Sequence, residues 1–145
     1  MKNKKTPATL IDKHRIRVRF SEVDSMHVVW HGSYIKYLED GRESFGRRFG
    51  IGYTDVLSNG YSMPVVKLNC NYKSPLRYGD EAIVETHFIN SNAAKILFEY
   101  YIYRAGDYSL VLDASSMQVF LNQADELELL SPAFFIDWKK RWAIM

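Results

Sequence analysis

The sequence is poor in cysteine, and this scarcity limits the chemistry that the chain can perform. Cys70 is the only cysteine among 145 residues, so no internal disulfide can form and metal sites built on cysteine pairs are excluded. A lone thiol fits a reducing compartment, and we expect a cytoplasmic protein. Cys70 itself is best interpreted as a small apolar filler of a strand.

The chain also lacks a charge excess and any long hydrophobic run. The 19 basic and 17 acidic side chains leave a formal net charge of +2, which argues against a nucleic-acid partner. No run of about 18 apolar residues occurs, so no segment is expected to span a membrane. The basic start MKNKKTPATL is not followed by an apolar stretch, unlike a secretory signal. We expect residues 1–12 to form a flexible tail.

What the sequence does contain is enough apolar material for one folded unit. Hydrophobic residues make up 47% of the chain, and a chain of this length buries a core without disulfides. We therefore expect a single domain over residues 1–145. Apolar and basic residues alternate from His14 to Phe20, which predicts a first strand with one solvent-facing side.

Apolar residues then recur every three or four positions, and this spacing predicts one long helix. The apolar stripe consists of Tyr34, Leu38, Gly41, Phe45 and Phe49. Ser33 is predicted as the N-cap, and Gly50 as the glycine that follows the last turn. Because Gly41 lies on the apolar stripe, we expect the helix to approach a sheet closely at that point.

Four more strands and a short helix are predicted after the long helix. The expected strand ranges are 65–72, 81–89, 95–104 and 108–121, and Pro132 is placed at the first position of the short helix. This order predicts an α+β fold in which the long helix lies across the concave face of a five-stranded antiparallel sheet. Several strands are apolar on both sides, which indicates that the second face meets a partner subunit.

The loop VDSMHVVWHGSY, from Val23 to Tyr34, contains an acid and two histidines that a turn does not require. A helix N-terminus presents unpaired N–H groups and a partial positive charge, which can stabilise an oxyanion. Asp24 beside it would serve as a general base or nucleophile, and His31 would orient a substrate oxygen or a water. The predicted substrate-binding residues are Val29, Trp30, Gly32, Ser33 and Tyr34.

Structural explanations for the same residues stay open. An aspartate after a strand often closes a turn through its side chain, and a histidine before a helix often caps that helix. His27 is interpreted as solvated. Glu39 and Glu43 flank the apolar stripe and are interpreted as solvated charges, paired, if at all, with Lys36 or Arg42.

The stretch RVRFSEVDSMHVVWHGSYIKYLEDGRESF, residues 17–45, resembles the motif of hot-dog-fold acyl-CoA thioesterases of the 4-hydroxybenzoyl-CoA thioesterase branch. A second stretch, NCNYKSPLRYGDEAIVE, resembles the strand pair that follows in that family. The resemblance spans roughly residues 14–122. Its most specific part is the aspartate loop.

This resemblance implies the hot-dog fold and hydrolysis of an acyl-CoA or acyl-carrier-protein thioester, with no cofactor or metal. It identifies Asp24 with the family's catalytic aspartate and His31 with a histidine of many bacterial members. Backbone amides near the helix start would hold the thioester oxygen. The family forms homodimers or homotetramers with the site at the dimer interface, and neither a membrane nor a nucleic acid is an expected partner.

Three residues depart from the family pattern. Many members have a glycine pair where this chain has Met26 and His27, and a tyrosine where it has Phe20. Two other functions therefore stay open. One is a hydratase or dehydratase that acts on an acyl thioester through His31 and Asp24, and the other is a non-catalytic acyl-thioester-binding protein.

Overall fold

The computed structural model describes residues 10–144. Its strands and helices are β1 (Leu10–Arg17), α1 (Ser33–Phe49), α2 (Tyr53–Ser58), β2 (Val65–Tyr72), β3 (Glu81–Ile89), β4 (Lys95–Arg104), β5 (Leu110–Val119) and α3 (Ala133–Arg141). One short 3₁₀ turn, Phe20–Glu22, lies between β1 and α1. No helix within residues 10–144 has both the length and the apolar character to cross a membrane.

The strands form one antiparallel sheet in the order β1-β3-β4-β5-β2. The consecutive strands β3, β4 and β5 occupy the centre, while β1 and β2 are the two edges. Helix α1 packs across one face, where its residues Leu38 and Phe45 are fully buried. The predicted arrangement of a long helix on a five-stranded antiparallel sheet, with a short C-terminal helix, is confirmed.

Helix α1 comes into close contact with the sheet at Gly41, as its position on the apolar stripe predicts. A Cβ atom there would lie 2.7 Å from Oγ1 of Thr86 and 2.8 Å from Cγ1 of Val84, both on β3. Only glycine leaves room for this approach. The contact sets the distance between the helix and the sheet, and so the position of the loop that leads into the helix.

The predicted bounds of the first strand are wrong at both ends. β1 begins at Leu10, inside the segment predicted as a tail, because Leu10 pairs with Phe88 and Asp12 pairs with Thr86. It ends at Arg17 because the chain then turns into the 3₁₀ segment that contains Phe20. Residues 1–9 of the predicted tail lie outside the described residues.

The predicted N-terminal positions of α1 and α3 are each displaced by one residue. Gly32 is the N-cap of α1 and Ser33 is its first helical residue, because the Ser33 N–H donates to the Trp30 carbonyl at 2.8 Å. Pro132 is likewise the N-cap of α3 and not its first helical residue. The predicted C-terminal end of α1 is confirmed, since Gly50 follows it with a φ of 74°.

Two further differences concern short or irregular segments. No element is predicted between the long helix and the strand at 65–72, yet residues 53–58 form α2, whose start is capped by Asp55 accepting from the Gly52 N–H at 2.8 Å. A six-residue helix is too short to show a hydrophobic period. β5 begins at Leu110 because Tyr108, with a φ of 57°, belongs to the preceding turn.

Candidate active site

The loop before α1 closes on itself around Asp24. Val23 and Val29 form an isolated antiparallel bridge. Between them, the Asp24 N–H donates to the Val28 carbonyl at 2.9 Å, and the Asp24 carbonyl accepts from the His27 N–H at 2.9 Å. The backbone of Asp24 is therefore fixed on both sides, which holds its side chain in a defined place.

The Asp24 carboxylate has one oxygen bound and one available. Oδ1 accepts from the Met26 N–H at 2.8 Å, which is the turn-closing bond that the structural explanation expects. Among residues 10–144, none makes a hydrogen bond or ion pair with Oδ2. Asp24 is half-buried. The turn-closing bond thus orients the carboxylate and leaves Oδ2 available to a water or a substrate.

His27 adopts a backbone conformation that suits glycine. Its φ is 66°, in the left-handed region where a Cβ is unfavourable. The family pattern has glycine at this position, so the chain makes the same kind of turn at some cost in strain. The His27 side chain is exposed, as its interpretation as a solvated residue expects.

Hydrogen bonds from residues 72 and 76 hold the end of the loop in place. The Val29 N–H donates to the Leu76 carbonyl at 2.8 Å, and the Leu76 N–H donates to the Tyr34 hydroxyl at 3.0 Å. The Tyr72 hydroxyl donates to the His31 carbonyl at 3.0 Å. Burial raises the pKa of Tyr34, so this phenol stays neutral.

Glu22 links the start of the loop to α1 through hydrogen bonds, a role that was not predicted from the sequence. Its Oε1 accepts from the Arg19 N–H and from the Tyr37 hydroxyl, each at 2.8 Å. Burial and the neighbouring Glu22 carboxylate raise the pKa of Tyr37 far above its ordinary value. The signal was present in the sequence, since Tyr37 lies one helical turn after Tyr34 on the buried side of α1.

The start of α1 has an unpaired amide where an oxyanion could bind. The Ser33 N–H donates to the Trp30 carbonyl, and the Ile35 N–H donates to the Gly32 carbonyl at 3.3 Å. The Tyr34 N–H has no acceptor within residues 10–144. A Cβ on Gly32 would collide with the indole of Trp30, so only glycine leaves room for that ring at this position.

A groove of about 300 Å³ lies beside this helix start, and we name it the loop groove. Its lining residues are Val29, His31, Tyr34, Tyr72, Lys73, Ser74 and Pro75. Of the predicted site residues, Val29, His31 and Tyr34 lie together in this groove, with Val29 and Tyr34 buried and His31 exposed. The other predicted residues, Asp24, Trp30, Gly32 and Ser33, do not line it. The wall that the sequence analysis missed is segment 72–75.

A second groove, of about 330 Å³, lies further along α1, and we name it the helix groove. Its apolar walls include Ile51, Met63, Val65, Ile96 and Phe98. Glu39 and Glu43 stand at its α1 side, and both are exposed. Glu43 pairs with Arg47 at 3.2 Å, so the predicted pairing with Lys36 or Arg42 is wrong for this residue.

Comparison with known proteins places the chain in a family. The profile of the thioesterase-like superfamily matches residues 18–139. A Bacillus subtilis protein, provisionally named an acyl-CoA thioesterase, is 33% identical over 129 residues, which are 88% of this chain and 92% of that protein. A chloroplastic acyl-acyl carrier protein thioesterase of Arabidopsis thaliana is 30% identical over 107 residues, which are 74% of this chain and 56% of that protein.

A solved structure shows the same fold. The crystal structure of a DHNA-CoA thioesterase from Staphylococcus aureus superposes with a TM-score of 0.81 at 25% identity, covering 92% of this chain and 89% of that one. The chain therefore belongs to the thioesterase-like superfamily and has the hot-dog fold. The predicted family is confirmed, and with it the predicted class of thioester hydrolase.

Proposed function

We propose that the protein hydrolyses the thioester of an acyl-CoA or an acyl carrier protein, with Asp24 as the general base or nucleophile. One observation carries the proposal: a carboxylate oxygen without a protein partner lies on the loop that leads into the unpaired amide at the start of α1. This combination supplies a base and an oxyanion donor. The similar Bacillus subtilis protein is named for acyl-CoA, and the similar Arabidopsis thaliana protein is named for acyl-acyl carrier protein, which supports both kinds of thioester as substrates.

Asp24 can act by either of two routes. As a base, Asp24 takes a proton from a water whose oxygen attacks the thioester carbon. As a nucleophile, its own oxygen attacks that carbon and forms a mixed anhydride with the acyl group, which water later cleaves. In both routes the carbonyl oxygen becomes negative and accepts from the Tyr34 N–H, the C–S bond breaks, and the thiolate takes a proton. One water is consumed, and a carboxylic acid and a thiol result. His31 would orient the water or the substrate oxygen.

We also propose that the protein forms a homodimer through β2. This strand is an edge of the sheet, and its sequence VVKLNCNY has one charged residue, Lys67. The other edge, β1, carries four charged residues that discourage pairing, Asp12, Lys13, Arg15 and Arg17. Val66 on β2 has an exposed fraction of 56%. A second copy of the chain would form hydrogen bonds with the free backbone groups of β2. A homotetramer could contain two such dimers.

Pairing of β2 with its copy would bring the two grooves together. A two-fold axis perpendicular to the sheet makes the pair antiparallel, so the Val65 end of one strand lies opposite the Tyr72 end of the other. Val65 lines the helix groove and Tyr72 lines the loop groove. The thioester would then bind between Asp24 and the loop groove of one protomer, and its acyl group would enter the helix groove of the partner.

Thiol release from a panel of acyl thioesters tests this function. Asp24→Asn keeps the side-chain volume and removes the charge, so we expect kcat to fall by about a hundredfold or more. His31→Ala should lower kcat by less than Asp24→Asn does. Asp125→Asn makes the same chemical change in an exposed turn and should leave the rate unchanged.

Equal rates for wild type and Asp24→Asn on a good substrate would contradict the role of Asp24. An enoyl thioester offers a second check, since a hydratase would remove its conjugation without releasing thiol. That result would contradict hydrolysis and favour the alternative activity.

A further inference from the structure

Four large apolar side chains are exposed around the loop that carries Asp24, and we name them the loop rim. Their exposed fractions are 79% for Phe20, 74% for Met26, 65% for Tyr78 and 52% for Trp30. Together they present on the order of 500 Å² of surface, a size of patch that often marks a binding surface on a soluble protein. None of the four lines the loop groove or the helix groove, so neither groove explains their exposure.

The rim belongs to two loops that are held together. Three of its residues lie between β1 and α1, and Tyr78 lies between β2 and β3. The rings of Phe20 and Tyr78 are in edge-to-face contact, with 6.1 Å between their centroids. Val28 forms an antiparallel bridge with Arg77, which joins the same two loops. A surface that is already assembled costs a partner less to bind than one that must first be ordered.

The proposed dimer would leave this surface open. Phe20 follows the end of β1 and Tyr78 precedes the start of β3, where Arg17 pairs with Glu81. β1 and β2 are opposite edges of the sheet. A second copy that pairs with β2 would therefore leave Phe20 and Tyr78 exposed.

Two arginines beside the rim have no ion pair. Arg19 and Arg77 are exposed, and within residues 10–144 neither guanidinium makes a hydrogen bond or a salt bridge. The acidic residues close to them in the chain are already bound. Asp80 pairs with Arg104 at 2.8 Å, and Glu22 makes the two hydrogen bonds described above. The two free positive charges would complement a negatively charged partner.

The composition of this surface favours a protein as that partner. Phenylalanine, tyrosine, tryptophan, methionine and arginine are the residue types enriched in protein interfaces, and the rim with its two arginines contains only these types. Attraction to an anionic membrane usually takes clusters of about four to eight basic residues. A second copy of the chain that used the same surface would bring like charges together. A different protein with acidic side chains therefore fits best.

We propose that the loop rim is the docking site of an acyl carrier protein that has acidic and apolar side chains around the attachment point of its phosphopantetheine arm. This inference rests on the proposed function, because a carrier bound to the rim presents its thioester beside Asp24. Its carboxylates would pair with Arg19 and Arg77. CoA has no protein surface to contact the rim, so the carrier-bound thioester would be the preferred substrate.

Rates with one acyl group on two carriers test this surface. The acyl group is the best one in the CoA panel, and it is also attached to the acyl carrier protein of a bacterial fatty-acid synthase. We expect wild type to prefer the carrier-bound thioester by about tenfold or more in kcat/KM. Arg77→Glu and Phe20→Ser should each raise KM for this thioester by about tenfold. Both should change kcat/KM for the CoA thioester by less than about threefold.

Two exposed residues elsewhere provide matched controls. Arg141→Glu makes the same charge change near Gly50, at the opposite end of α1. Leu130→Ser removes an apolar side chain that is as exposed as Phe20. Both controls should retain the wild-type preference. Equal losses with both thioesters in the rim variants, or no preference in wild type, would overturn the inference.

A binding measurement separates this inference from the proposed function. Calorimetry with the holo carrier protein, which has no acyl group, requires no turnover. We expect Asp24→Asn to bind it as wild type does and Arg77→Glu to raise Kd by about tenfold. Added salt should weaken wild-type binding more than it weakens binding by Arg77→Glu. This result would support the inference even if no thioester is hydrolysed.

Other outcomes of the binding measurement would overturn the inference. One is a wild-type protein that does not bind the carrier although it hydrolyses acyl-CoA. Another is binding to vesicles of anionic phospholipid that Phe20→Ser abolishes, which would assign the rim to a membrane. A third is an oligomer that Phe20→Ser dissociates, which would assign the rim to a second copy of the chain.

Discussion

At the scale of single residues, the structural role of Asp24 is compatible with the chemical role proposed for it. The bond from the Met26 N–H to Oδ1 closes the turn, and the same bond orients the carboxylate so that Oδ2 is left over. The sequence motif pointed to Asp24 and His31 through the resemblance. It could not show that the two oxygens differ, because that depends on the fold of the loop.

His27 provides a prediction at the same scale. Replacing it by glycine should raise the free energy of unfolding by roughly 0.5–1 kcal/mol, because relief of the left-handed strain exceeds the entropy that glycine adds to the unfolded chain. His27→Ala keeps the Cβ atom and should give no gain. Urea denaturation of the three proteins measures the difference, and equal stability of the Gly and Ala variants would contradict the strain argument.

At the scale of elements, the long helix and three of the strands follow directly from the sequence. The bounds predicted for β2, β3 and β4 are those observed, because turn residues terminate each strand clearly. The extension of β1 to Leu10 was not predictable from local pattern, since it depends on pairing with β3. The same holds for α2, which is shorter than two periods of a helix.

Gly41 provides the prediction at this scale. Alanine normally favours a helix, but at this position its Cβ would press on Thr86 and Val84. We expect Gly41→Ala to lower the free energy of unfolding by about 1–3 kcal/mol, the usual cost of overpacking. Gly106→Ala is the matched control, because a Cβ there meets nothing within 4 Å. A Gly41→Ala protein as stable as wild type would contradict the close packing.

At the scale of the whole molecule, the two grooves belong to one site only if two protomers meet. In a single chain the loop groove and the helix groove lie at opposite ends of β2. Sequence reasoning predicted the residues of the loop but not the helix groove, because its walls come from β2, β4, β5 and the segment before β2. Such a surface exists only once the sheet is assembled, so no spacing in the chain predicts it.

Subunit complementation tests this central claim most directly. Asp24→Asn removes the base, and Met63→Trp should fill the helix groove, so each homodimer is expected to be inactive. If the site combines the two grooves across β2, refolding the variants together in equal amounts makes mixed dimers with one intact site each, and random pairing restores about a quarter of the wild-type thiol-release activity. Activity no higher than the sum of the two separate variants would contradict a site shared between protomers.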